Sequence, residues 1–121
     1  MVTSASRPEP LPQQGNGVSA HDELIRIVEN RELHKTPILG DAFKLLLSIK
    51  SQIAGEHDPR TLPPSRLDAV LDDIRERKAM GLAKYGTTLQ AHNGRDALVD
   101  AYQEALDLCA YLTQKRMEGG L

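Results

Sequence analysis

Apolar residues along this chain recur at helical spacing, and no stretch sustains the alternation of a strand. Residues 19–34 read as a first helix: Ser19 is a suitable cap, Asp22 lies three residues on, and Leu24, Ile25, Ile27, Val28 and Leu33 make a ragged apolar side. Pro37 bars direct helical continuation through Thr36. A second helix spans 39–54, with Asp41 as its cap and Gly55 as its stop. Phe43, Leu46, Leu47 and Ile53 share one side, widened by Leu45 and Ile49, so burial against more than one neighbour is expected.

The third helix is expected over 65–80, capped by Ser65 and stopped by Gly81. Leu67, Val70, Leu71 and Ile74 define a narrow face, and at about 100° per residue Asp72, Asp73 and Glu76 fall opposite. The last helix is expected over 94–117, with Asn93 as cap and Asp96 three residues on. Leu98, Ala101, Tyr102, Ala105, Cys109 and Leu112 form its apolar face, with Asp100, Glu104, Asp107 and Tyr111 on the far side. The connection at 82–93 is long for two helices of a bundle, and long connections tend to carry function. Two other segments lack periodicity. Residues 1–18 read as a disordered tail, and the His57 loop within 55–64 reads as turn chemistry rather than a metal cluster. The fold expected is all-α, a four-helix bundle in a single domain over 19–117.

Composition narrows the classes. A net charge of −2 gives no reason to expect a nucleic-acid polymer as partner. No apolar run is long enough to span a membrane, and the first residues lack the apolar core of a secretory signal, so a soluble cytoplasmic protein is expected. The single cysteine, Cys109, excludes an intrachain disulfide and a cysteine-based zinc site. With no Trp, one Phe and three Tyr, the core is expected to be completed by another subunit.

The candidate chemistry lies in the two acidic faces. Asp73 and Glu76 are spaced i, i+3, and so are Glu104 and Asp107. Four carboxylates brought together repel unless a cation joins them, and hard oxygen ligands select Mg²⁺ or Mn²⁺. Lys84, Tyr85, Asn93 and Arg95 lie between the pairs, polar and cationic groups suited to a phosphate-bearing ligand. Solvated polar faces have the same periodicity, so the spacing alone leaves both readings open.

The run DDIRE at 72–76, followed by 27 residues and then EALD at 104–107, resembles the EExxE…ExxD signature of the MazG-like all-α nucleoside triphosphate pyrophosphohydrolases. That superfamily also includes dimeric dUTPases and dCTP pyrophosphatases. The wider run KYGTTLQAHNGRDALVDAYQEALDLCAYL is similar to small phage and prophage members. The resemblance covers residues 66–115. It implies that Asp73, Glu76, Glu104 and Asp107 bind Mg²⁺, that Asp72 either supports those ligands from behind or activates water, and that Asp72 and Glu76 are the catalytic residues. It implies cleavage of the α–β phosphate linkage of a nucleoside triphosphate, and a homodimer or homotetramer. In that setting Lys84 and Arg95 would hold phosphate oxygens, Tyr85 or Tyr102 would stack on the base, and Asn93 would hydrogen-bond sugar or base. Asp stands at 72 and 73 where the signature has Glu, one methylene shorter. Two other readings stand beside this one: a nucleotide-sequestering protein without catalysis, and a helical interaction module.

Overall fold

The computed structural model describes residues 17–55 and 64–120. The tail at 1–16 and most of the loop around His57 lie outside the described residues. The described chain is all-α: α1 (Ala20–Glu29), a 3₁₀ turn (Leu33–Lys35), α2 (Pro37–Ile53), α3 (Pro64–Tyr85) and α4 (Ala97–Met117). It falls into two compact units, residues 17–93 and 94–120. No described helix is long and apolar enough to cross a membrane.

In the first unit, Ser19 caps α1 as its residue type suggests, its Oγ accepting the Asp22 N–H at 3.3 Å. The helix ends at Glu29, short of the expected 34. Arg31 takes a left-handed φ of 57°, and its N–H donates to the Val28 carbonyl while the Glu32 N–H donates to that of Ile27. This pair of bonds closes a Schellman motif, with an arginine where glycine is usual. The local signal for the stop is therefore missing from the residue types.

The start of α2 also differs from expectation. Pro37 sits in its first turn, where the missing N–H costs nothing, so the helix begins two residues earlier and Asp41 lies inside it rather than capping it. Gly55, at φ 81°, ends it as expected.

α3 is longer than the pattern suggests. Gly81 does not stop it; the helix runs through to Tyr85, and Gly86 at φ 76° donates its N–H to the Leu82 carbonyl. A mid-helix glycine costs about 1 kcal/mol and is tolerated, whereas a left-handed residue ends the helix outright.

The core belongs to the first unit. Ile25 and Val28 of α1, Phe43 of α2, and Val70, Leu71 and Ile74 of α3 are buried together, with Leu24, Leu33 and Leu47 packed against them. α3 packs on both α1 and α2. Burying each such side chain contributes about 1.5–3 kcal/mol. Ion pairs rim the same contacts: Lys50 Nζ to Asp73 at 2.7 Å, Lys78 Nζ to Asp22 at 2.7 Å, and Arg75 to Glu29 at 3.6 Å. Each is solvent-accessible and contributes about 0–1 kcal/mol. The broad apolar stripe expected of α2 is only partly used. Leu45 and Leu46 are exposed and Ile53 is 77 % exposed, because the burial of α2 is centred on Phe43.

In the second unit, the stripe expected to be buried on α4 lies open. Leu98 is 74 % exposed, Tyr102 is 65 % exposed, and Ala101, Ala105 and Cys109 are exposed, while Leu112 is half-buried. An amphipathic stripe is buried only where a second surface meets it, and periodicity marks the stripe without supplying that surface.

Ser51 is fully buried in α2, and its Oγ has no hydrogen-bond partner. An unsatisfied buried hydroxyl is costly. Ser51→Ala is therefore expected to raise stability by about 1 kcal/mol in urea unfolding; a loss of that size would show that the hydroxyl is bonded.

Candidate functional site

The acidic face of α3 follows from its register. Val70, Leu71 and Ile74 fix one side against α1 and α2, so Asp72, Asp73 and Glu76 emerge exposed. Asp73 and Glu76 are one helical turn apart and point from one side, as i, i+3 residues do. Neighbouring cations already serve the two aspartates. Lys50 Nζ donates to Asp73 Oδ2 at 2.7 Å, and Arg75 Nη1 donates to Asp72 Oδ1 at 3.1 Å. Arg75 is local to its partner, but Lys50 comes from α2, and nothing in the sequence links positions 50 and 73.

At the end of α3 the Lys84 ammonium lies 5.3 Å from the Tyr85 ring centroid, within cation–π range. Tyr85 is half-buried and Lys84 is exposed. The chain then turns through Gly86 into a segment tied to the start of α1. Ala20 N–H donates to the Leu89 carbonyl at 2.7 Å, Gly17 N–H donates to Gln90 Oε1 at 2.9 Å, and Ser19 and Gln90 form an isolated antiparallel bridge. The Gln90 amide also donates to the Thr87 hydroxyl at 3.3 Å. Lys84, Tyr85 and Asn93 are thus carried at either end of an anchored segment. His92 takes a left-handed φ of 60° beside Asn93.

In the second unit, Asp96 rather than Asn93 caps α4. Its Oδ1 accepts the N–H groups of Leu98 at 3.0 Å and Val99 at 3.2 Å. Both residue types cap well, but a helix starting at Ala97 leaves Asn93 too far back to serve. Arg95 forms a two-pronged pair with Asp100, Nε to Oδ2 at 2.9 Å and Nη2 to Oδ1 at 2.8 Å. These bonds raise the guanidinium pKa further above its ordinary value, with burial opposing. The fork expected to grip phosphate, carried just ahead of the α4 cap, is therefore engaged by a carboxylate in the first turn of α4. Glu104 is exposed and Asp107 half-buried on α4, one turn apart, repeating the spacing of Asp73 and Glu76. Tyr102 is exposed, so it is not a core residue.

Among the described residues, no three His, Cys, Asp or Glu side chains are grouped so as to hold a metal ion. The pair on α3 belongs to the first unit and the pair on α4 to the second. The groups that sequence reasoning missed are Lys50 on Asp73 and Gln90 on the α1 start. Both are contacts between distant positions, with no periodic signature. The chain matches no family model, no curated protein and no solved structure.

Loss of the Asp96 cap in Asp96→Ala is expected to cost about 1 kcal/mol locally, read as roughly fivefold faster amide exchange at Leu98 and Val99. Unchanged exchange at both amides would remove Asp96 from the capping role.

Proposed function

We propose that the protein is a Mg²⁺-dependent nucleoside triphosphate pyrophosphohydrolase of the MazG-like kind, working as a homodimer or homotetramer. The observation that carries this reading is the exposed Asp73–Glu76 pair, held out by a helix whose opposite face is buried, together with the same i, i+3 pair, Glu104 and Asp107, on α4. The donor set is all carboxylate oxygen, which suits Mg²⁺ or Mn²⁺ and not zinc. Asp73, Glu76, Glu104 and Asp107 are the proposed ligands. The bound cation supplies charge neutralisation at the phosphates.

The remaining chemistry falls to the chain. Asp72 or Glu76 orients a water and accepts its proton as the water oxygen bonds to the α-phosphorus. The bond from that phosphorus to the bridging oxygen breaks, and pyrophosphate leaves with the electron pair. Lys84 places a point charge at the phosphates, and Arg95 contributes its guanidinium once Asp100 yields. Tyr85 and Tyr102 offer faces for a base, and Asn93 offers an amide for sugar or base. The exposed apolar side chains of α2 and α4, Leu45, Leu46, Ile53, Leu98 and Leu106 among them, support a role for a second copy of the chain.

A nucleotide-sequestering role without turnover is the second reading. The Lys50–Asp73 ion pair favours it, since a metal must compete with an ammonium for that carboxylate, and so do the shorter side chains at 72 and 73.

Pyrophosphate release with Mg²⁺ or Mn²⁺ across a panel of nucleoside and deoxynucleoside triphosphates tests the reading. Turnover is expected, and Glu104→Ala or Asp107→Ala should reduce it by about 100-fold or more, since even outer contacts of a metal site commonly cost 10–100-fold. Full activity in both variants would overturn the site assignment. No release, with a saturable nucleotide-dependent rise in melting temperature, would establish sequestration instead.

A further inference from the structure

Asparagine stands at 16, 30 and 93, and at 16 and 93 it is followed by glycine. The side-chain amide carbon of an asparagine lies within reach of the main-chain nitrogen of the next residue. Attack by that nitrogen closes a five-membered ring. In a folded chain the attack is blocked when a hydrogen bond holds the nitrogen, when the next side chain shields it, or when regular structure fixes the main chain. Asn30 and Asn93 are opposites in these respects.

Asn30 is exposed, but it closes α1 and is followed by Arg31. The Arg31 N–H donates to the Val28 carbonyl at 3.1 Å, and the N–H of Asn30 itself donates to the Arg26 carbonyl at 2.9 Å. The nitrogen that would attack is thus committed to the Schellman motif, and rotation about Asn30 would break that motif.

Asn93 lies in the irregular stretch between α3 and α4. It is half-buried, and its neighbours His92 and Gly94 are exposed. Among the described residues, nothing accepts the Gly94 N–H. Gly94 has no side chain to shield that nitrogen, and a methyl built on its α-carbon would meet nothing within 4 Å. Its φ of 85° is one that glycine enters and leaves at little steric cost. The attacking nitrogen is bonded to the residue it attacks, so the reaction asks nothing of the rest of the fold.

We propose that Asn93 is a site of spontaneous deamidation in the folded chain. The Gly94 nitrogen bonds to Asn93 Cγ and gives up its proton to solvent, and the side-chain nitrogen leaves as ammonia. The product is a cyclic imide. Water then adds at one of its two carbonyls. Cleavage of the new bond, between Cγ and the Gly94 nitrogen, leaves aspartate in an unaltered main chain. Cleavage of the original peptide bond leaves isoaspartate, whose main chain runs through Cβ and Cγ and is one carbon longer. Either product puts a carboxylate in place of a neutral amide at the end of the first unit. The site stands on this geometry and not on the catalytic reading. Where the Asn93 amide serves sugar or base, its two donors are lost with the conversion.

Incubation of the full chain at neutral pH, followed by tryptic digestion and mass measurement against an unincubated control, tests the site. Asn93 is read in peptide 85–95, apart from Asn30 in 27–31 and Asn16 in 1–26. Peptide 85–95 should gain about one dalton, the change from NH2 to OH, and fragment ions should place it at Asn93 rather than Gln90. Peptide 27–31 should stay unchanged. The rate in the folded chain should lie within about tenfold of that in the free peptide 85–95, since an exposed loop opens at a free energy near zero. Gly94→Ala should slow the conversion by shielding the nitrogen. No gain in the folded chain while the free peptide converts would overturn the proposal. So would an equal gain at Asn30, a gain placed at Gln90, or an undiminished rate in folded Gly94→Ala. Should Gly94→Ala fail to fold, the comparison of the folded chain with the free peptide decides.

Discussion

The burial of Val70, Leu71 and Ile74 on one side of α3 is the constraint on which the first unit depends. α1 and α2 both bury their apolar residues against this helix, Ile25 and Val28 from one and Phe43 from the other. Few large side chains are available, so each carries a large share of the hydrophobic stabilisation. The ion pairs that cross the same contacts are solvent-accessible and add little. They set which charges neighbour which, rather than whether the helices associate.

The same constraint presents the acidic residues. With its register fixed by the stripe, α3 must hold Asp72, Asp73 and Glu76 out to solvent. Core and candidate chemistry therefore share one helix without competing for the same positions. The charge environment is then tuned from outside: Lys50 of α2 reaches Asp73, and Lys78 of α3 reaches back to Asp22 at the start of α1. Through the Ala20 and Gly17 hydrogen bonds the start of α1 is tied to the segment between Tyr85 and Asn93.

Much of this was legible in the residues. Helical periodicity gives the all-α class, the Ser19 cap, the Gly55 stop and the stripe of α3, because each is a local property of residue type and spacing. The misses share a different cause. Arg31 ends α1 in a conformation that its residue type disfavours, and Gly81 is overridden by the helix around it while Gly86 acts as the stop. Asp96 and Asn93 are equivalent caps by type, and only the position of Ala97 decides between them. The stripe on α4 was readable, but its exposure was not, since periodicity identifies a sticky face without naming what covers it. Among the candidate site residues, the i, i+3 pairs are legible because helix geometry alone makes them neighbours. The Lys50–Asp73 contact is not, because tertiary packing alone makes it.

The division of α3 into a structural face and a chemical face is tested most directly by equilibrium urea unfolding of two neighbouring variants, Ile74→Ala and Glu76→Ala. A loss of about 2–5 kcal/mol is expected for the first, the usual cost of emptying a core position, and a change within about 0.5 kcal/mol for the second, as for an exposed charge. Equal losses in the two variants would contradict the division, since the two positions would then serve the same end.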